Sequence, residues 1–195
     1  MIKDLILANR SCRRFQEQVT IDEKTLRDIV DLARLSASSA NLQPLKYILS
    51  FDREKNQSIF PHLAWAGYLK DWPGPAEGER PAAYIVILLD TDIQIKAGCD
   101  HGIAAQSILL GATERGLGGC IIGSIKRKSL RAALDIPEKY EILLIIALGK
   151  PGEKIVIDQV RDGDVKYWRD DQDRHHVPKR TLDEIILDSA ARPET

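Results

Sequence analysis

The sequence predicts an α+β fold in which helices surround a mixed, mainly antiparallel central sheet. Two predicted helices precede the first predicted strand, and the strands do not alternate strictly with helices, which argues against a doubly wound sheet. Two apolar runs of strand length, residues 84–89 and 142–148, are typical of buried strands. The chain has 195 residues, so we expect a single domain over residues 1–195.

Hydrophobic periodicity and capping signals predict the helices. They cover residues 2–8, 20–35, 54–69, 97–115, 126–134 and 181–186. Capping boxes at residues 20–23 and 181–184 open the second and the last of these, and Pro61 interrupts the third. The helix over residues 97–115 is apolar on most sides, so we expect it to be central and buried. Strands are predicted at residues 46–51, 84–89, 120–122 and 142–148, and exposed loops at 36–44 and 72–81.

Composition and charge exclude several classes of partner. The formal net charge of −1 creates no overall field that would attract nucleic acid or an acidic membrane, so neither is expected to bind. No apolar stretch is long enough for a signal peptide or a membrane span. Three widely spaced cysteines without a C-x-x-C motif predict a reduced, cytoplasmic protein.

The glycine-rich residues 116–123 do not match the common nucleotide-binding loops. Ile121 stands where G-x-G-x-x-G requires glycine, and Ser124 stands where G-x-x-x-x-G-K requires lysine. Both motifs also run from strand to helix, whereas here a helix comes first and a strand follows. We interpret the stretch as a tight helix-to-strand turn.

The sequence shows no metal site and assigns no catalytic residue. The histidines, at positions 62, 101, 175 and 176, lack metal-ligand spacing, and the adjacent pair is expected to be solvated in a loop. Cys12 lies beside Arg10, Arg13 and Arg14 and could be a thiolate nucleophile, although no histidine is near it in sequence.

Two basic clusters allow two interpretations each. The segment 10–14 and the pair Lys179 and Arg180 are either solvated surface charge or a phosphate site, since guanidinium groups bind phosphate through paired hydrogen bonds. The loop 38–44 is either a simple helix-terminating turn or a set of amides and hydroxyls that meets the edge of a planar ring.

These segments together resemble the nitroreductase family. Residues 9–15, Asn-Arg-Ser-Cys-Arg-Arg-Phe, resemble its R-R-S-x-R-x-F segment, and residues 38–44, Ser-Ser-Ala-Asn-Leu-Gln-Pro, its S-S-x-N-x-Q-P loop. Residues 100–122 are similar to its long central helix and the G-L-G segment that follows. The other matches are L-x-I-P-E at 134–138, A-L-G-x-P at 147–151 and a basic element at 176–180. The resemblance covers nearly the whole chain in the expected order, with two departures: Asn9 replaces the first arginine, and Leu45 replaces an aromatic residue.

The resemblance implies a site for non-covalently bound FMN. Its phosphate would contact Arg10, Ser11 and Arg13, joined by Lys179 or Arg180. The loop residues Ser38, Ser39, Asn41 and Gln43 would come from the partner subunit and contact the ribityl chain and ring. Backbone groups of Ile121, Ile122 and Gly123 would approach the N5 and O4 edge. This implies a swapped homodimer in which a C-terminal segment, about 152–195, extends over the partner.

The resemblance also implies an NAD(P)H-dependent oxidoreductase. Hydride would pass through flavin N5 to a nitroaromatic, a quinone or a free flavin by a ping-pong mechanism, and the sequence does not choose among these acceptors. Tyr68 and Trp72 are candidates for the substrate pocket, whereas Trp65 fits core packing equally well. The alternatives are a non-catalytic flavin- or anion-binding protein and another flavin reaction on the same fold, such as that of a dehalogenase or an oxidase.

Overall fold

The computed structural model describes residues 1–187 and has a four-stranded sheet at its centre. The strands are β1 (Leu45–Ser50), β2 (Ala83–Asp90), β3 (Gly118–Ile122) and β4 (Tyr140–Gly149), in the order β1-β2-β4-β3. Neighbouring strands are antiparallel, and a single parallel bridge joins Ser11 to Gly119 at β3. The predicted α+β fold with a mainly antiparallel sheet is confirmed.

The helices before residue 152 follow the sequence signals except for the third. They are α1 (Ile2–Ala8), α2 (Glu23–Arg34), α3 (Arg53–Ile59), α4 (Asp100–Glu114) and α5 (Arg127–Ala133). Pro61 falls in a 3-10 turn directly after α3, but the helix predicted up to residue 69 does not resume after this break, because residues 63–69 are not helical. The predicted capping box of α2 is wrong: Asp22 is the N-cap and accepts a hydrogen bond from the Thr25 N–H. An acidic cap also suits the positive end of the helix.

One face of the sheet carries α2 and α4. Leu26 and Ile29 of α2 and Ile108 of α4 are fully buried in one cluster with Ile85 and Ile87 of β2. All eight residues of β2 are buried, because the strand is internal in the sheet and covered on both faces. The expectation that α4 is buried on most sides is only partly met, because Gly102, Ile103 and Gln106 are exposed. Among the described residues, no helix is both long enough and apolar enough to cross a membrane.

The chain forms two compact units, Met1–Gly152 and a second that begins at Glu153. The second unit has a three-stranded sheet of β5 (Ile155–Gln159), β6 (Trp168–Arg169) and β7 (His175–Lys179), followed by α6 (Leu182–Ile185). The predicted capping box of α6 is present between Thr181 and Glu184. Residues 188–195 of the predicted C-terminal segment lie outside the described part, and the placement of that segment over a partner stays a prediction.

The expectation that His175 and His176 are solvated in a loop is wrong, because both are buried in β7. The His176 ring stacks on the Trp168 indole at 4.1 Å between centroids. Its Nδ1 is 2.6 Å from Asp158 and its Nε2 is 3.1 Å from Asp170. Burial disfavours the charged ring, but the hydrogen bonds to the two carboxylates outweigh it and raise the pKa of His176. Sequence spacing alone did not reveal these long-range partners.

Candidate functional site

The basic segment 10–14 lies against the outer edge of β3. Ser11 forms the parallel bridge to Gly119, and the Cys12 N–H donates to the Gly119 carbonyl at 2.9 Å. The predicted phosphate-binding segment and the glycine-rich strand are therefore brought together by the fold, although they are more than 100 residues apart in sequence.

Arg10 and Arg13 of this segment make different hydrogen bonds. The Arg10 guanidinium donates to the Ile6 carbonyl at 2.7 Å and to the Asn9 carbonyl, so it holds the end of α1. Arg13 is half-buried and donates to the Ser11 carbonyl over a longer 3.3 Å, and the Ser11 side chain is exposed. A guanidinium with five N–H donors beside an exposed hydroxyl matches the chemistry of a phosphate.

Cys12 does not have the setting of a nucleophile. Its side chain is 2% exposed, and its Sγ donates to the Arg14 carbonyl at 3.1 Å. Reactive thiolates sit in partly exposed positions, so Cys12 serves packing beneath the segment rather than chemistry.

The edge of β3 beyond Gly119 offers backbone groups to a ligand. In an antiparallel pair, successive residues point their N–H and C=O alternately toward and away from the partner strand. Since the Gly119 carbonyl points away from β4 to Cys12, the backbone groups of Ile121 also point to the outer edge, and those of Ile122 face β4. A Cβ built on Gly123 would meet only Leu144 Cδ2, at 3.8 Å. This open edge is one that a planar ring can approach closely.

The segment that leads to Tyr68 and Trp72, the candidates for the substrate pocket, begins beside this edge. Leu63 bridges Ile125, and the Ala64 N–H donates to the Ser124 carbonyl at 3.0 Å. Farther along, Tyr68 is 51% exposed, and the half-buried Trp72 ring lies 5.9 Å from the Arg14 guanidinium carbon. Tyr68 and Trp72 are thus on a segment that starts next to the candidate ring edge.

Trp65, by contrast, belongs to the interior. It is only 8% exposed and packs 6.0 Å from the Phe60 ring, which favours the core-packing interpretation of this residue.

The loop over residues 36–44 is held by a residue that the sequence analysis did not single out. Asp100, the first residue of α4, is 3% exposed. Its carboxylate accepts hydrogen bonds from the Ser38 hydroxyl at 2.6 Å and the Ser39 N–H at 3.0 Å. The side chains of Asn41 and Gln43 are exposed and joined by a 3.3 Å hydrogen bond. No local pattern marks an aspartate at a helix start as the anchor of a distant loop.

A small pocket of about 160 Å³ lies behind this loop. Its lining includes Ser38, Gln43, Tyr47 and Asp100. Burial, helped by the negative charge of Asp100, raises the pKa of Tyr47 to about 12, so its phenol stays neutral at physiological pH.

Within one chain, the loop and the strand that carries the phosphate segment contact different parts of α4. Asp100 begins the helix, whereas a Cβ on Gly119 would touch Leu109. At about 1.5 Å per residue, Asp100 and Leu109 are separated by about 14 Å along the helix axis. The structure therefore joins Ser11 and Cys12 to β3, whereas the loop residues 38–43 are anchored at the start of α4.

The C-terminal basic pair belongs to the second unit. Lys179 is the exposed last residue of β7, and Arg180 forms an exposed 3.4 Å ion pair with Glu184.

Within residues 1–187, no group of three or more His, Cys, Asp or Glu side chains could hold a metal ion.

Comparisons with known proteins identify similar sequences. A model described as the nitroreductase family matches residues 6–150. The chain is 26% identical over 167 residues to the NADPH-flavin oxidoreductase of Vibrio harveyi, a match that covers 77% of this chain and 65% of that protein. The chain thus spans slightly less than two thirds of that relative.

Solved structures share the fold. The Vibrio harveyi NADPH:FMN oxidoreductase in complex with NAD⁺ is 27% identical, with a TM-score of 0.61 and coverage of 77% of this chain and 69% of that one. An FMN-dependent nitroreductase from Clostridium difficile R20291 is 29% identical, with a TM-score of 0.61 and coverage of 79% and 89%.

Proposed function

Since this chain belongs to the nitroreductase family, we propose that it is an FMN-dependent oxidoreductase that uses NAD(P)H to reduce a small electron acceptor. The family, which the sequence motifs predicted, is confirmed. The observation that carries the proposal is the bridge between Ser11 and Gly119, which puts the candidate phosphate donors beside an open backbone edge. The names of the similar Vibrio harveyi and Clostridium difficile enzymes support both FMN and NADPH.

The donor set fits FMN held without a covalent bond. Arg13 and Ser11 would bind the phosphate, with Arg10 ordering the segment as it caps α1. The resemblance adds Lys179 or Arg180 to this set as a further prediction. The Ile121 N–H and C=O would meet the polar edge of the ring, where the small Gly123 leaves room. When bound, FMN accepts hydride from the nicotinamide and delivers electrons to the acceptor, so the protein supplies binding and orientation.

The resemblance implies a site shared by two subunits, in which Ser38, Ser39, Asn41 and Gln43 contact the FMN held by the partner's residues 10–13. A second copy of the chain can supply them, and two-fold symmetry then creates two identical sites. The C-terminal segment from about residue 152 would extend over the partner.

Exposed apolar side chains supply a surface for such a homodimer. They lie on α1, on α2 and the residue that follows it, and on α4, and both α1 and α2 contact α4. These side chains, each at least 36% exposed, are Ile2, Ile6, Leu32, Leu35 and Ile103. An apolar surface spread over neighbouring helices is typical of a protein interface. Light scattering should give twice the chain mass of 21.8 kDa, whereas an FMN-loaded monomer would contradict the shared site.

We propose that the nicotinamide and the acceptor use one pocket in turn. Tyr68 and Trp72 would wall this pocket beside the open edge of β3. The glycine-rich residues 116–123 do not match a dinucleotide-binding motif, and we assign no separate binding site to the nicotinamide. The nicotinamide and the acceptor would therefore compete for the same surface. The acceptor is a nitroaromatic, a quinone or a similar small oxidant.

The absorption spectrum of the purified protein tests the proposal directly. The protein should be yellow and should release FMN, not FAD, when denatured, and NADH or NADPH should bleach it without oxygen. A colourless protein that takes up no added FMN would refute the proposal. Bound flavin that neither nicotinamide reduces would instead favour a binding protein or another flavin reaction.

A further inference from the structure

We propose that Asp100 is a positioning residue for the cofactor site. Its buried carboxylate holds the loop 36–44 in the shape that presents Asn41 and Gln43 to FMN. The inference rests on the proposed function and goes beyond it, because Asp100 itself does not touch the flavin.

Asp100 ties the two ends of the loop together. One carboxylate oxygen accepts the Ser38 hydroxyl at 2.6 Å, and the other accepts the Ser39 N–H at 3.0 Å. The Ser38 Oγ in turn accepts the Gln43 N–H at 2.9 Å. A continuous chain of hydrogen bonds thus runs from α4 through Ser38 to the far end of the loop.

These hydrogen bonds are strong because their acceptor is a carboxylate and because that carboxylate is buried. Hydrogen bonds to a carboxylate are shorter and stronger than those between neutral groups. Asp100 is 3% exposed, so water does not compete for its oxygens. It is also the first residue of α4, where the helix dipole stabilises a negative charge. The anchor is therefore rigid.

The loop needs such an anchor because its backbone is strained. Ala40, Asn41 and Gln43 have φ angles of 48°, 55° and 53°. This left-handed region is unfavourable for residues with a Cβ, and such conformations persist only when the surroundings impose them. Without Asp100, we expect the loop to relax to ordinary backbone angles and to withdraw Asn41 and Gln43 from their presented positions.

A loop that is held in its binding conformation lowers the entropic cost of ligand binding. Loss of Asp100 should therefore appear as weaker FMN binding that is not explained by loss of overall stability. It should also cancel the contribution of Asn41, since a displaced side chain no longer contributes to binding.

The test measures FMN dissociation constants by flavin fluorescence, with stability measured by circular dichroism. The variants are Asp100→Ala, Asp100→Asn, Asn41→Ala and the double variant Asp100→Ala with Asn41→Ala. Asp52→Ala is the matched control, because Asp52 is also an aspartate at a helix start but its carboxylate caps α3 through the Lys55 N–H.

We expect Asp100→Ala to weaken FMN binding at least tenfold and Asp100→Asn to restore part of it, since the amide oxygen can still accept the Ser39 N–H. In the Asp100→Ala background, Asn41→Ala should cause less than a twofold further loss. If Asp100→Ala does not fold, the partial loss in Asp100→Asn carries the test.

Three results would overturn the inference: FMN binding within twofold of the native protein in folded Asp100 variants, an equal loss in Asp52→Ala, or additive losses in the double variant. Failure of the native protein to bind FMN would overturn the proposed function itself, which is a separate result.

Discussion

Substitutions at Gly119 and Gly123 can test the packing of the fold and the proposed FMN binding independently. Gly119 lies in β3 and Gly123 follows that strand directly. A Cβ added to Gly119 would lie 2.5 Å from Leu109 Cδ2, 2.8 Å from the Ala147 carbonyl oxygen and 2.8 Å from Leu148 Cδ2. Carbon atoms prefer about 3.5–4.0 Å, so the overlap is about 1 Å. The Ala147 carbonyl belongs to the sheet backbone and cannot rotate away. Gly119→Ala should therefore cost about 1–3 kcal/mol of the free energy of unfolding.

Gly123→Ala is the matched variant. Its added Cβ would meet only Leu144 Cδ2 at 3.8 Å, which is an ordinary contact. The free energy of unfolding should change by no more than about 0.5 kcal/mol. The methyl group fills the space through which the flavin edge would approach, so FMN binding should weaken about tenfold, or ~1.4 kcal/mol.

Urea unfolding of the FMN-free variants, followed by circular dichroism at one protein concentration, gives the stabilities. Flavin fluorescence titration gives the affinities. A fixed concentration matters because a dimer's stability depends on it. If Gly119→Ala is as stable as the native protein, the packing argument is wrong. If Gly123→Ala binds FMN with native affinity, the flavin does not approach this edge.

Three further predictions address charge, kinetics and pH. The double change Arg13→Ala with Arg180→Ala should weaken FMN binding by a few kcal/mol, since each charged hydrogen bond contributes ~1.5–3 kcal/mol; the exposed Arg27→Ala should leave the fluorescence titration unchanged. Double-reciprocal plots at several fixed acceptor concentrations should give parallel lines, and intersecting lines would exclude one shared pocket. Because the folded-state pKa of His176 is raised, its protonation stabilises the second unit fully below about pH 6.5 and ceases to do so as pH rises through the folded pKa. NMR should place the His176 midpoint above about 6.5, and Asp158→Asn should lower it; a midpoint below about 6.5 would contradict the two carboxylate contacts.

Local patterns in the sequence were sufficient for most elements. The apolar run at 84–89 became the buried strand β2, and the helix over 97–115 became α4, which ends just before Gly116 at a φ of 70°. These signals depend on neighbours within a few residues, so the sequence carries them directly. Helix starts were less certain: Asp22 caps α2 in place of the predicted Thr20, because several polar residues near a helix start can compete for its N–H groups.

The histidine pair shows where local reasoning stops. His175 and His176 looked like polar loop residues, yet both are buried in a strand. The His176 ring meets Asp158, Asp170 and Trp168 only when β5, β6 and β7 pair. Spacing along the chain does not show which carboxylates will surround a ring.

The sequence by itself determined the α+β class and the family, and it supplied the residue types of the proposed phosphate and flavin site, because propensity, periodicity and short motifs are local properties. Only the tertiary structure decided which of those residues meet. The bridge from Ser11 to Gly119 and the bond from Asp100 to Ser38 join residues 108 and 62 positions apart. The same structure anchored the loop at the first residue of α4. Contacts of this kind depend on how the helices and strands pack and on the hydrogen bonds that their buried polar groups then find, and no local pattern carries that information.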